Sequence, residues 1–249
     1  MSIFKQLTEI SKKRGAAYIV LIDPDTRDEQ SLRNFVHKLN EADVDAIFIG
    51  GSLLMDGEFQ HCIKVVKAAS NIPVIIFPGS VQQISSAADA ILFLSIISGR
   101  NPQYLFGDHV IAAPAIRKQK VEPIATGYML FDSGRTTTAE FISNTKPLPT
   151  HKPEIAMAHA LAAQYLGMST VYLEAGSGAD NPVPDAVVKG VSNYVNIPVI
   201  VGGGIKSPEV AAQKVKAGAS FIVTGNVLND TNDPDIIKKF SKAIHWKES

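Results

Sequence analysis

Three short stretches of the chain carry residue types suited to chemistry on a small phosphorylated molecule. "VYLEAGSGAD" (171–180) places Tyr172 and Glu174 two residues apart, so that in an extended strand both side chains face the same way, and it continues into Gly176, Ser177 and Gly178. "GGGIKSPE" (202–209) and "TGNVLN" (224–229) supply further glycines. Glycine lets backbone N–H groups approach an anion closely, so Gly202, Gly203, Gly204, Gly225 and Asn226 form a candidate phosphate site. Helices expected to begin near Ser207 and after Asn226 would turn their positive ends toward it. Tight turns are the competing explanation for the glycines, and they account for one more easily than for three in a row. A carboxylate repels a phosphate, which makes Glu174 a poor phosphate ligand. It reads instead as a general base or as the acceptor for a substrate hydroxyl, against a capped or salt-bridged structural acid.

A second constellation lies early in the chain. "LIDPDTRDE" (21–29) sets Asp23 and Asp25 on either side of a proline, and "IGGSLL" (49–54) ends in a segment bearing Ser52. A carboxylate with a hydroxyl is a normal Mg²⁺ environment, because this ion takes few protein oxygens and keeps waters for substrate phosphates. Turn and N-cap roles explain Asp25 and Asp28 equally well.

The elements that must position these residues recur along the chain. Apolar runs stand at 17–23, 44–51, 72–79, 89–96, 122–132, 170–176, 197–204 and 219–226, continuous rather than alternating, as parallel strands covered on both faces require. Helical patterns lie between most of them, several opened by Ser, Pro or Asp and closed by Gly. Eight such units predict one α/β domain spanning 1–249, a TIM-type (β/α)8 barrel, whose active site belongs at the C-terminal ends of the strands. "NIPVIIFPGS" at 71 and "NIPVIVGGGI" at 196 echo each other about half a chain apart, either as a trace of repetition or as a generally good entry into a buried strand. Two connections depart from the pattern. "SVQQISSAA" between strands 3 and 4 is too short for a full helix and predicts an exposed flank or groove. The long segment at 133–152 predicts a lid or an oligomer contact.

Bulk composition narrows the partners. Of 249 residues, 45% are hydrophobic, enough for a sizeable core without staples. Lys plus Arg and Asp plus Glu stand at 24 each with no basic block, which argues against nucleic acid. Cys62, the only cysteine, excludes an internal disulfide and reads as a passive thiol in a reducing, cytoplasmic setting. The first fifteen residues are amphipathic without the apolar core of a signal peptide, and no apolar run reaches the roughly 18 residues of a spanning helix, so a soluble protein is expected.

Taken in order, "LIDPD", "FIGGS", "FPGS", "YLEAGSGA", "VGGGI" and "TGN" resemble the geranylgeranylglyceryl phosphate synthase family, which also includes bacterial heptaprenylglyceryl phosphate synthases. "SGRNPQYL" (98–105) and "GYMLFDSGRTT" (127–137) resemble its second group. The resemblance implies transfer of a prenyl chain from its diphosphate to the C3 hydroxyl of sn-glycerol 1-phosphate, with Mg²⁺ as cofactor. By position, Asp23 and Ser52 match the metal ligands. Tyr172, Leu173, Glu174, Ala175, Gly176, Ser177, Gly178, Gly203, Gly204, Gly225 and Asn226 match the glycerol-phosphate contacts, with Glu174 orienting the hydroxyl or taking its proton. Leu21 stands where the heptaprenyl branch carries lysine, which sets this chain apart from that branch, and the DDxxD pattern of chain-elongating prenyltransferases is absent. The resemblance further implies a homo-oligomer, a dimer or a hexamer, and a peripheral membrane contact for product release fits the reaction.

The groove beside strands 3 and 4 is the expected seat of the apolar tail, with Phe77, Phe93, Tyr104 and Tyr128 as lining or as ordinary core. Arg100 and Arg135 are in reach of a diphosphate or are solvated loop residues. Phe141 is a candidate anchor between subunits, and His109, His151 and His159 receive no chemistry. Two other readings compete: a phosphate-binding barrel isomerase or synthase of amino-acid or thiamine biosynthesis, and a catalytically silent binding barrel.

Overall fold

Alternate residues of each apolar run are buried on opposite sides of one closed sheet. The computed structural model describes residues 2–55, 58–229 and 233–248. Strands Ala17–Ile22 (β1), Ala46–Ile49 (β2), Val74–Ile76 (β3), Ala90–Ile96 (β4), Glu122–Leu130 (β5), Thr170–Glu174 (β6), Val199–Gly202 (β7) and Phe221–Thr224 (β8) pair in parallel in chain order, and β8 closes on β1. Ile19, Phe48, Ile75, Leu92, Tyr172, Ile200 and Val223 fill the interior, whereas Tyr18, Val20, Ile47, Ile49, Leu173 and Val201 face the helices. Both faces are therefore dry, which is why the runs are continuous rather than alternating. Strands β3 and β7 each begin at the valine of an N-I-P-V segment, four units apart.

Helices Glu29–Glu41 (α2), Phe59–Ala69 (α3), Asp108–Gln119 (α4), Pro153–Tyr165 (α6), Asp185–Tyr194 (α7), Pro208–Lys216 (α8) and Ile236–Ile244 (α9) surround the barrel. Ile3–Arg14 (α1) covers its N-terminal end, where Phe4 meets Phe221 edge-on at 6.1 Å and Leu7 is buried in the interior. Glu122, at the start of β5, accepts the Ile3 and Phe4 N–H groups at 2.7 and 3.2 Å, an acid at a helix N-terminus.

The two irregular connections take the forms that their lengths required. Residues 77–89 hold no helix; Val74 and Ile76 of β3 and Ile91 of β4 are still buried on the outward side, and Phe93 of β4 is only partly covered. After β5, an excursion carries the short helix Thr138–Ser143 (α5) and returns through a parallel bridge between Phe131 and Leu148. The helix expected after Asn226 is only a 3-10 turn, Asn226–Leu228, with α9 starting later; Ser207 does cap α8, accepting the Val210 N–H at 3.4 Å. No helix among the described residues is long and apolar enough to cross a membrane.

Candidate functional site

The C-terminal mouth of the barrel opens into a cavity of about 910 Å³ that runs out past Ile91 and Phe93 on the outward side of β4, between Ile84 and α4. Register brings its polar end together: Glu174 pairs with Leu130 on one side and Gly202 on the other. Tyr172, one step down the inward face, is fully buried and stacks on Phe77 at 5.4 Å with Tyr128 at 5.3 Å, giving an aromatic floor. Each such contact contributes about 1 kcal/mol beyond burial. Glu174 sits on that floor, 5% exposed, with Oε1 accepting the Gly176 N–H at 2.6 Å. Burial pushes its carboxyl up to about 7; the Gly176 N–H and the Tyr172 hydroxyl, which is not aligned for a full hydrogen bond, pull the other way. That value suits a group that must lose and gain a proton near neutrality.

Glycine is required around this carboxylate. A Cβ on Gly203 (φ +77°) would lie 2.2 Å from Glu174 Oε1, one on Gly202 2.3 Å from the Tyr172 hydroxyl, and one on Gly176 (φ +100°) 2.2 Å from the Thr137 methyl. Gly178 and Gly204 also hold left-handed conformations. Asn226 donates to Ser177 Oγ at 3.0 Å and so ties the loop after β8 to the loop after β6. Gly176, Ser177, Gly178, Gly203, Gly204, Gly225 and Asn226 thus share one rim beside Glu174 and Tyr172. Leu173 and Ala175 do not reach it. Period-two alternation points both outward, where they are buried among the helices, so as side chains they are not contacts of the mouth.

Asp23 lies on the other side of the mouth. Its Oδ1 accepts the Asp25 N–H at 3.1 Å, a turn role, while Oδ2 is 3.6 Å from where a Gly51 Cβ would stand, beside the exposed Ser52. Burial raises the Asp23 carboxyl above its usual range and the neighbouring Asp25 charge adds to the rise. Asp25 Oδ2 accepts the Met55 N–H at 2.7 Å, whereas its Oδ1 is buried without a partner among the described residues. No cluster of three His, Cys, Asp or Glu side chains occurs among the described residues. A carboxylate oxygen, a hydroxyl and a second carboxylate close by fit an ion that keeps most of its waters.

The groove is lined by Phe77, Phe93, Tyr104, Tyr128, Ala112 and Ile116. Arg135 lines the site; Arg100 faces a separate concavity with Lys146 and His159. Phe141 is 78% exposed on α5. Cys62 is buried and burial pushes its thiol up to about 12, a passive role.

Two residues without assigned chemistry belong here. His109 lies in the groove wall, edge-on to Phe93 at 4.5 Å, sharing a 3.0 Å hydrogen bond with Ser95 Oγ; burial lowers its pKa from the ordinary imidazole value. Arg27 bonds Asn229 and lies 3.9 Å over the Phe35 ring. Both contacts join residues far apart in sequence through turns of unpredictable geometry, one of them the π-helical turn Gln103–Gly107, so no local signal announced them.

The model of the PcrB family matches residues 8–244. Geranylgeranylglyceryl phosphate synthase of Chitinophaga pinensis is 43% identical over 243 residues, covering 98% of this chain and 96% of the relative. The enzyme of the same name from Pyrococcus furiosus is 42% identical over 232 residues, covering 93% and 91%. Among solved structures, (S)-3-O-geranylgeranylglyceryl phosphate synthase from Thermoplasma acidophilum, in complex with its substrate sn-glycerol 1-phosphate, superposes with a TM-score of 0.93 at 35% identity, covering all of both chains.

Proposed function

The chain belongs to the PcrB family, and from that membership we propose that it transfers a prenyl group, geranylgeranyl, from its diphosphate to the C3 hydroxyl of sn-glycerol 1-phosphate. One observation carries the reading: the buried Glu174 carboxylate shares a rim with glycine turns, and that rim opens into an apolar groove where the barrel lacks a helix.

The reaction follows from this placement. The glycine turns after β6, β7 and β8 hold the phosphate by backbone N–H groups, leaving the glycerol hydroxyl toward Glu174. Glu174 orients the hydroxyl and takes its proton as the oxygen bonds to the allylic carbon and the carbon–diphosphate bond breaks. The groove takes the prenyl tail and keeps water from the allylic carbon, so that glycerol rather than water is alkylated. Asp23 and Ser52 would hold Mg²⁺, with Asp25 close by; when bound, the ion neutralises the departing diphosphate. The protein is cytoplasmic in this reading, works as a homo-oligomer, dimer or hexamer, with Phe141 as an anchor, and touches the membrane only peripherally to release product.

The test is incubation with labelled sn-glycerol 1-phosphate or sn-glycerol 3-phosphate, Mg²⁺ and prenyl diphosphates of increasing length. Organic-extractable label from the 1-phosphate alone supports the reading. Its absence with every donor overturns it.

A further inference from the structure

Three cationic side chains reach the site, and two of them are already engaged. Arg27 bonds Asn229, and Lys206 Nζ donates to the Asp180 carbonyl at 3.2 Å. The Arg135 guanidinium lines the same cavity and makes no hydrogen bond or ion pair with any described residue. Its position is specific. A Cβ built on Gly178 would lie 2.5 Å from Arg135 Nη2 and 3.9 Å from Asn226 Nδ2, so guanidinium and amide converge over one glycine turn. That turn follows β6, across the barrel from Asp23 and Ser52 after β1 and β2.

The backbone that carries Arg135 is fixed on both sides. The Gly134 N–H donates to Asp132 Oδ1 at 3.0 Å, and the buried Ser133 hydroxyl donates to the Arg135 carbonyl at 3.4 Å. Two residues on, Thr137 caps α5 by accepting the Glu140 N–H at 3.3 Å and rests its methyl on Gly176. The excursion is tied at its base to β5: the Leu148 N–H donates to the Leu130 carbonyl at 2.8 Å and the Asp132 N–H to the Leu148 carbonyl at 3.0 Å. A long side chain with a free planar fork is thus held over the rim by a strap anchored at three points.

We propose that Arg135 is the anion clamp of the glycerol-phosphate half of the site, closing its guanidinium on the phosphate monoester beside the glycine turn after β6. The inference rests on the function proposed above and adds a residue to it. A guanidinium binds phosphate through two parallel charge-assisted hydrogen bonds, whereas a lysine acts as a point charge. It also offsets the repulsion between the phosphate and Glu174, which the glycine turns alone leave in place.

The experiment compares wild type with Arg135→Ala and Arg135→Lys, with Arg100→Ala as the control facing the other concavity. Each substrate is varied separately, and binding of sn-glycerol 1-phosphate and of inorganic phosphate is followed by calorimetry without donor. The expected result is a KM for glycerol phosphate raised about tenfold or more in the alanine variant and partly restored by lysine. The donor KM should stay within about twofold and the melting temperature unchanged, with calorimetric affinity falling in parallel. Unchanged KM for glycerol phosphate, or a rise confined to the donor, would overturn the clamp. A wild type that turns over neither substrate while phosphate binding still depends on Arg135 would instead overturn the function and leave the clamp standing.

Discussion

The Gly176 N–H donates to Glu174 Oε1 at 2.6 Å, so the carboxylate is tied to the left-handed turn that begins the phosphate rim. This bond holds one carboxylate oxygen and favours the charged form, yet burial outweighs it and the group titrates at about 7. If Glu174 must be ionised to take the proton, kcat/KM rises with pH through an apparent pKa near 7 and then levels. At pH 5.5 the value should be about 30-fold below the plateau. A flat profile from pH 5.5 to 8 would contradict this role.

The same shift has a consequence for stability. The folded pKa of about 7 lies above the ordinary value of 4.5, so the folded state binds the extra proton between these limits. Its stabilisation is complete below the unfolded value and is lost as pH rises through 7, where a bare charge must be buried. Glu174→Gln should therefore melt a few °C higher than wild type at pH 8 and equally at pH 4.5 or below, with at most about 3 kcal/mol at stake. Its turnover should fall by about 100-fold or more. Melting curves at the two pH values decide the sign.

Gly203→Ala should separate function from fold. The new methyl would meet Glu174 Oε1 at 2.2 Å in a backbone conformation of φ +77°. Turnover is expected to drop about 100-fold or more, with a stability loss of about 1–3 kcal/mol. Gly167, equally left-handed at φ +81° but with nothing within 4 Å, serves as the comparison. Gly167→Ala should lose only about 1 kcal/mol and keep its activity.

Removal of divalent metal tests the other half of the mouth. Chelation should abolish turnover while sn-glycerol 1-phosphate still binds within about threefold of its normal affinity. Asp23→Asn should raise the Mg²⁺ concentration needed for half-maximal rate about tenfold or more. Full activity in chelator would remove the metal from the account.

The groove makes a prediction about donors. Ala112, on α4, lines it together with Ile116. Ala112→Trp should shift the preferred donor to a shorter prenyl diphosphate while leaving the KM for glycerol phosphate within about twofold. Unchanged donor preference would place the tail elsewhere.

Much of this site was readable from spacing. Tyr172 and Glu174 share a face because strands alternate, and the same alternation sends Leu173 and Ala175 outward although motif position had grouped them with the contacts. The missing helix followed from the shortness of the segment between Phe77 and Asp89. What stayed hidden depends on contacts between distant parts of the chain. His109 meets Ser95 only because a π-helical turn re-aims the chain at Gln103–Gly107, and Arg135 reaches Gly178 only because the excursion after β5 is bridged back at Leu148. The turn at Asn226–Leu228 replaced an expected helix, since "NVLND" carries no apolar periodicity to sustain one. Prenyl chemistry itself entered through family resemblance, for no residue spacing encodes it.

The most direct test of the account is a single reaction with wild type and Glu174→Gln, sn-glycerol 1-phosphate and geranylgeranyl diphosphate. Released pyrophosphate and ether product are measured together, and the linkage is assigned by mass spectrometry and NMR. The account predicts one pyrophosphate per ether, joined at C3, with both signals collapsing together in the variant. Pyrophosphate release without ether, or an ether formed equally well by the variant, would contradict it.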